Sequence, residues 1–391
     1  MMEKYGSRAC GRTGLALPPG VSPPVPPPPL WIGDIMGASA FAGTGGVFSF
    51  SPGAAEAADA FGLTNDLPVV VLLVDGLGSG QLLSHLGHAP TLRKLGSRPV
   101  TAQTCSPSTT AAALTALATG KLPGETRMVG YSVRHGSGVM NLLQFADGVD
   151  GATWQPEVTV FEAMAAQGLD SVVITDQRFI GTGLTHAAMR GPRFVGAKEL
   201  SRRLGSAVSE VRKRTPLIYV YWSGIDKVGH KYGPTSREWT DALEDFDAEL
   251  FAFLMAVDGK AQVLLTADHG MVEVDARVDI AQVAELSKGV EVLAGEGRAA
   301  HVHAALGQAQ AVEERWRRYW DGVGWVFNRE EIPGIIGPGP GCVLVGDLLV
   351  MPKGGTVVVD SRSQTPASIA MPGVHGSLTE VEMEIPVWRL V

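Results

Sequence analysis

Four apolar runs of strand length, VVVLLV at 69–74, SVVIT at 171–175, LIYVYW at 217–222 and QVLLT at 262–266, are separated by segments of helical character. A run that stays apolar, instead of alternating with polar residues, belongs to a strand covered on both faces. Regular helix and strand alternation supplies those covers in a parallel sheet. FEAMAAQG precedes the second run, LSRRLGSAVSEVRKR the third and TDALEDFDAELFAFLMAV the fourth. The expected fold is therefore α/β, with a mainly parallel central sheet flanked by helices. A chain of 391 residues exceeds the size at which one core usually stops growing, so an insertion or a second domain is expected as well.

The texture changes after Met271. Shorter strand-like pieces (VEVLAG, HVHAAL, VGWVFN, DLLVMP, TVVVD) are punctuated by Gly/Pro turns such as GPGPG. Residues 273–370 read as a smaller α+β insertion into a main domain formed by 31–272 and 371–391. Residues 1–30, with LPPGVSPPVPPPP, read as an extended, solvated, Pro-rich arm.

Charge and composition narrow the partners. The chain has 32 Lys and Arg against 40 Asp and Glu, a net −8, with no basic run, which argues against polymeric nucleic acid. Cys10, Cys105 and Cys342 are odd in number and far apart, as reduced thiols would be. No stretch approaches the roughly 20 apolar residues that span a bilayer. The N-terminus lacks a secretory pattern, so a cytoplasmic location is expected, with export left open. Oligomeric state is not legible.

Chemistry concentrates where the apolar runs end. VVVLLVDG ends in Asp75, YWSGIDKVGH carries Asp226 and His230, TADHG carries Asp268 and His269, and GVHG near the C-terminus carries His375. Taken singly, an Asp after a strand is an ordinary turn or cap residue, and a His among glycines an ordinary loop residue. Together they differ, because the carboxyl ends of parallel strands converge on one crevice. Asp226 and His230, four apart, share a face in a helical turn. Asp268 and His269 need a turn after Thr266 for both to reach inward. Three carboxylates and three imidazoles suffice for two divalent ions; zinc suits the mixture, and other first-row ions are compatible.

TCSPSTTAAALTALATG supplies a nucleophile candidate. A hydroxyl at a helix N-terminus faces unpaired N–H groups and the positive end of the helix dipole, which favour both an alkoxide and a phosphate oxygen. Thr109 and Thr110 both sit there, and either can equally be a cap.

The ordered set VDGLG, PSTTAAALTALATGKLPG, GIDKVGH, TADHGM and GVHG resembles the alkaline phosphatase superfamily, and most its nucleotide pyrophosphatase/phosphodiesterase (type I phosphodiesterase) branch, from about Leu67 to Val391 outside much of the insertion. The resemblance implies an alkaline phosphatase-like fold and two zinc ions. Asp226, His230 and His375 would hold one; Asp75, Thr110, Asp268 and His269 would hold the other. Its nucleophile lies ten residues before the glycine ending the helix, which selects Thr110 ahead of Gly120, with Thr109 the fallback; where its eukaryotic-type members have an asparagine three residues past the nucleophile that contacts a phosphoryl oxygen, this chain has Ala113, which offers no donor, and Tyr131 and Arg134 are the candidates to replace it. The implied activity is hydrolysis of small-molecule phosphate diesters through a phosphothreonine intermediate. Phosphomonoesterase or phosphonate hydrolase is the alternative on the same metal frame. A sulfatase would need C-x-P-x-R, and Cys105 begins CSPST instead. A binding module that had lost catalysis would not need the full ligand set.

Overall fold

The computed structural model describes residues 31–95 and 98–391; the expected Pro-rich arm lies outside them. A seven-stranded sheet forms the centre, in the order Val100–Gln103, Glu384–Arg389, Gln262–Thr266, Val69–Val74, Leu217–Trp222, Ser171–Thr175, Arg193–Gly196. The four runs read from the sequence form adjacent, mutually parallel strands. They are covered on both faces, as their unbroken apolar character requires. Only Glu384–Arg389 runs antiparallel to its neighbours.

The helices fall where expected, at Val160–Ala166, Leu200–Arg212 and Arg237–Val257. Order also begins earlier than the sequence suggests. Ile32–Gly43 is a helix buried along most of its length, packed against the central sheet and the Thr110 helix. A Cβ on Gly43 would meet the Pro216 carbonyl oxygen at 2.1 Å, so a side chain there would push the helix off the sheet.

A four-stranded sheet, ordered Val290–Glu296, Ala299–Ala304, Leu348–Pro352, Gly324–Asn328, packs with the helix Ala309–Trp320 around its own apolar cluster, which includes Trp316, Trp320 and Val350. It is joined to the C-terminal loop by Arg298. This guanidinium grips Glu382 through two hydrogen bonds, of 3.0 and 2.6 Å, with both side chains fully buried. Glu382 also accepts from the Ser377 N–H at 3.0 Å. Breaking one half of a buried pair strands the other charge, so Arg298→Ala is expected to cost about 3–5 kcal/mol of stability. Urea denaturation checks this, and an Arg298→Met/Glu382→Leu double variant should recover much of the loss.

Candidate active site

Three neighbouring parallel strands deliver the three aspartates. Gln262–Thr266, Val69–Val74 and Leu217–Trp222 lie side by side, about 4.8 Å apart as paired strands do. Asp268, Asp75 and Asp226 follow their carboxyl ends. Gly76 permits the approach: it has φ +73°, and a Cβ there would stand 3.1 Å from the Asp226 Cβ. Asp226 and His230 lie on the helix Gly224–Tyr232, with His230 Nε2 3.4 Å from Asp226 Oδ1. The strand before Asp268 stops at Thr266, and both following side chains turn inward. His269 Nε2 stands 3.4 Å from Asp268 Oδ2 and 3.5 Å from Asp75 Oδ1. His375 Nε2 is 3.8 Å from Asp226 Oδ1, and its ring stacks on His269 at 3.6 Å.

Each imidazole is oriented from behind. Nδ1 of His230, His269 and His375 meets a backbone carbonyl, that of Gly373 at 2.8 Å, Gly270 at 3.1 Å and Ser108 at 2.9 Å respectively. A carbonyl only accepts, so Nδ1 carries the proton and Nε2 presents a bare lone pair to the cluster. The carboxylates are arranged alike. Tyr221 donates its hydroxyl to Asp75 Oδ2, and the Gly76 N–H donates to Asp268 Oδ1 at 3.2 Å. Asp75 Oδ1, Asp226 Oδ1 and Asp268 Oδ2 are buried without a hydrogen-bond partner.

Burial, with Asp268 and Asp226 close by, pushes the Asp75 carboxyl well above the ordinary range, and burial raises Asp268. Burial, reinforced by His269 and His230, keeps His375 neutral. Three acids and three bare nitrogens aimed at one space are a donor set for cations. Two groups bring their ligand atoms within 4.8 Å of one another: Asp226, His269 and His375, and Asp75, Asp268 and His269. His269 belongs to both, and His230 joins the first through Asp226.

The helix Thr110–Thr119 points its N-terminus here. Thr110 Oγ1 lies 3.2 Å from His269 Nε2, the residue common to both clusters. Thr109 occupies the N-cap position but makes no side-chain cap bond. The Ser108 carbonyl holds His375, and the Ser108 hydroxyl donates to the Ser377 carbonyl at 2.8 Å, so the threonine and His375 loops are fastened together.

A cavity of about 730 Å³ opens over this cluster, lined by Asp75, Thr110, Asp226, His230 and His375 among others. Tyr131 lines it; Arg134 does not, being held in a forked pair by Glu291. Among the described residues, Lys227 is the one lysine or arginine in the lining. Its Nζ sits 5.3 Å from the Phe179 ring centre, and burial lowers its pKa. Sequence reasoning missed Tyr221 and Glu296 as cavity residues. Tyr221 had a signal, a polar tip on an apolar strand that leads into the Asp226 segment.

The mainly parallel sheet, with acid and imidazole clusters gathered at its carboxyl edge, has an alkaline phosphatase-like fold. More narrowly, the chain belongs to the type I phosphodiesterase / nucleotide pyrophosphatase family, whose sequence profile matches residues 69–378, and so to a family of phosphodiester hydrolases. Among solved structures it is similar to Sinorhizobium meliloti 1021 phosphonoacetate hydrolase in complex with phosphonoformate, with TM-score 0.66 and 19% identity over 83% of this chain and 90% of that one. It is also similar to an inactive variant of murine ectonucleotide pyrophosphatase / phosphodiesterase 5 in complex with AMP, with TM-score 0.65 and 15% identity over 82% and 87% of the two chains. At those identities the likeness is one of fold. A curated relative, Mus musculus GPI ethanolamine phosphate transferase 1, is 28% identical over 81 residues, 19% of this chain and 9% of that protein's length. No helix among the described residues is long and apolar enough to cross a membrane.

Proposed function

We propose that this protein hydrolyses small phosphate diesters through a phosphothreonine intermediate on Thr110, at a site that holds two zinc ions. Asp226, His230 and His375 would hold one ion, and Asp75, Thr110, Asp268 and His269 the other. When bound, the ions would lower the pKa of the attacking hydroxyl and neutralise charge developing on the phosphoryl oxygens. The observation that carries the proposal is the position of Thr110 Oγ1, beside the residue the two clusters share and at the mouth of an anion-favouring helix N-terminus.

In the first step the Thr110 hydroxyl gives up its proton to solvent and Oγ forms a bond to phosphorus as the ester oxygen opposite it departs with its electron pair. In the second, water attacks the phosphothreonine in line and restores the hydroxyl. The chain's own contribution is orientation. Backbone carbonyls fix the three imidazoles, Tyr221 and Gly76 fix two of the carboxylates, and Ser108 fastens the nucleophile's loop to that of His375.

Diesters are favoured over monoesters because a monoester dianion brings a second negative charge into a cavity in whose lining, among the described residues, Lys227 is the one lysine or arginine, and it lies against Phe179. With zinc present, kcat/KM for bis-p-nitrophenyl phosphate should exceed that for p-nitrophenyl phosphate by at least about tenfold, equivalent to about 1.4 kcal/mol. A phosphonate monoester, also a monoanion, should rank with the diester. Preference for p-nitrophenyl phosphate would instead mark a phosphomonoesterase on the same frame.

A further inference from the structure

Glu296 ends the strand Val290–Glu296 and lines the cavity together with Thr109 and Thr110. The Thr109 side chain and the Tyr131 backbone stand beside its carboxyl; Oε1 is buried with no hydrogen-bond partner, on the Gly130 side, while the side chain as a whole is part-exposed. It is also held from behind. A Cβ on Gly376, the residue after His375, would come within 3.0 Å of the Glu296 Cγ. Arg298, two residues on, is locked to Glu382 and anchors the hairpin turn. One carboxyl oxygen is thus buried against the Gly130 segment, and the other is left to face the cavity that Glu296 lines beside the threonine loop.

We infer that Glu296 is a catalytic residue whose neutral carboxyl donates a hydrogen bond, from the oxygen that faces the cavity, to a non-bridging oxygen of the phosphoryl group attacked by Thr110. This rests on the phosphodiesterase reading above. It supplies the donor missing at Ala113, and a neutral donor suits a diester monoanion because it adds no net charge. Protonation fits the surroundings. Burial, partly offset by Thr109 and Tyr131 beside it, raises the carboxyl to about 8. The ionisable groups around it are Glu382, whose charge Arg298 meets, the buried thiol of Cys105, and His301, which burial keeps neutral.

The test compares wild type, Glu296→Gln and Glu296→Ala, each loaded with zinc, in kcat/KM for bis-p-nitrophenyl phosphate from mildly acidic to alkaline pH. Melting temperature and bound zinc are followed alongside. The amide of Glu296→Gln can still donate to the phosphoryl oxygen, so this variant should stay within about tenfold of wild type. Glu296→Ala should fall about 100-fold, the usual order for loss of one oxyanion donor. Wild type should also lose activity above a pH of about 8 as Glu296 ionises, and Glu296→Gln should lack that alkaline fall. A purely structural role would leave the fall in place.

If wild type cleaves the diester and Glu296→Ala matches it, or Glu296→Gln keeps the alkaline fall, the role of Glu296 is overturned while the phosphodiesterase reading stands. If Glu296→Ala does not fold, the pH profile of Glu296→Gln decides alone. Zinc-loaded wild type without diesterase activity would sink the underlying reading first.

Discussion

Thr110→Ala is expected to lower kcat for a diester substrate by at least about 10³-fold, a loss of about 4 kcal/mol in transition-state stabilisation, while leaving stability within about 0.5 kcal/mol of wild type. The separation of the two effects follows from the surroundings of Thr110. It begins its helix, where alanine is well tolerated, and it is not the cap residue. The hydrogen-bond partner of its hydroxyl is His269 Nε2, at 3.2 Å. Removing Oγ therefore deletes a reacting atom without opening a core cavity. Thr109→Ala removes a hydroxyl that stands beside the Glu296 carboxyl instead, and a smaller loss, about tenfold, is expected. An acid-quenched turnover with a labelled diester should leave the label on the peptide containing Thr110. Label on Thr109, with Thr110→Ala still active, would move the nucleophile by one residue.

The legible parts of this protein are those where burial is uniform. Leu217–Trp222 and Val69–Val74 read correctly because central parallel strands are apolar along their whole length. The edge strands Val100–Gln103 and Arg193–Gly196 are four residues each and only partly covered, so they carry no such run. The antiparallel strand Glu384–Arg389 is interrupted by Pro386, which weakens the pattern of a paired strand. Ile32–Gly43 was missed for a different reason. It is covered all round and rich in glycine and alanine, so it has neither an amphipathic period nor strong helix propensity throughout.

In the site, the three aspartates were visible at or just past the ends of apolar runs, with His230 four residues from Asp226, His269 next to Asp268 and His375 in a glycine loop, and a parallel sheet told where such ends meet. What remained hidden was whatever depends on the far side of the chain. The carbonyl of Ser108 behind His375 and the carboxyl of Glu296 beside Thr109 come from segments separated by well over a hundred residues. LAGEGRAA reads only as a hairpin turn, and nothing local distinguishes Glu296 from a solvated turn acid.

Removing bound metal should destabilise the protein, and the loss should grow with pH. Without cations, Asp75, Asp226 and Asp268 each keep a buried oxygen that nothing pairs, and Asp75 and Asp268 have pKa values raised above the ordinary 3.8, chiefly by burial. Between that value and the raised ones, the folded metal-free protein holds protons that the unfolded chain has already released. Stability of that form therefore falls as pH rises through the window, and it is greatest below the unfolded pKa. Zinc reverses the balance because it binds the ionised carboxylates and displaces those protons. His375, held neutral by burial, offers Nε2 throughout. The difference in melting temperature between zinc-loaded and EDTA-treated protein should thus be larger at about pH 8 than at about pH 5.5, with saturating zinc contributing about 4 kcal/mol per site when its concentration is about 1,000 times Kd. An Asp268→Asn variant removes one of the raised carboxyls and should flatten the pH dependence of the metal-free protein while weakening the response to zinc. A metal increment that is the same at both pH values would mean that these carboxyls do not meet a cation here, and the proposed division of the seven side chains into two sites would fall with it.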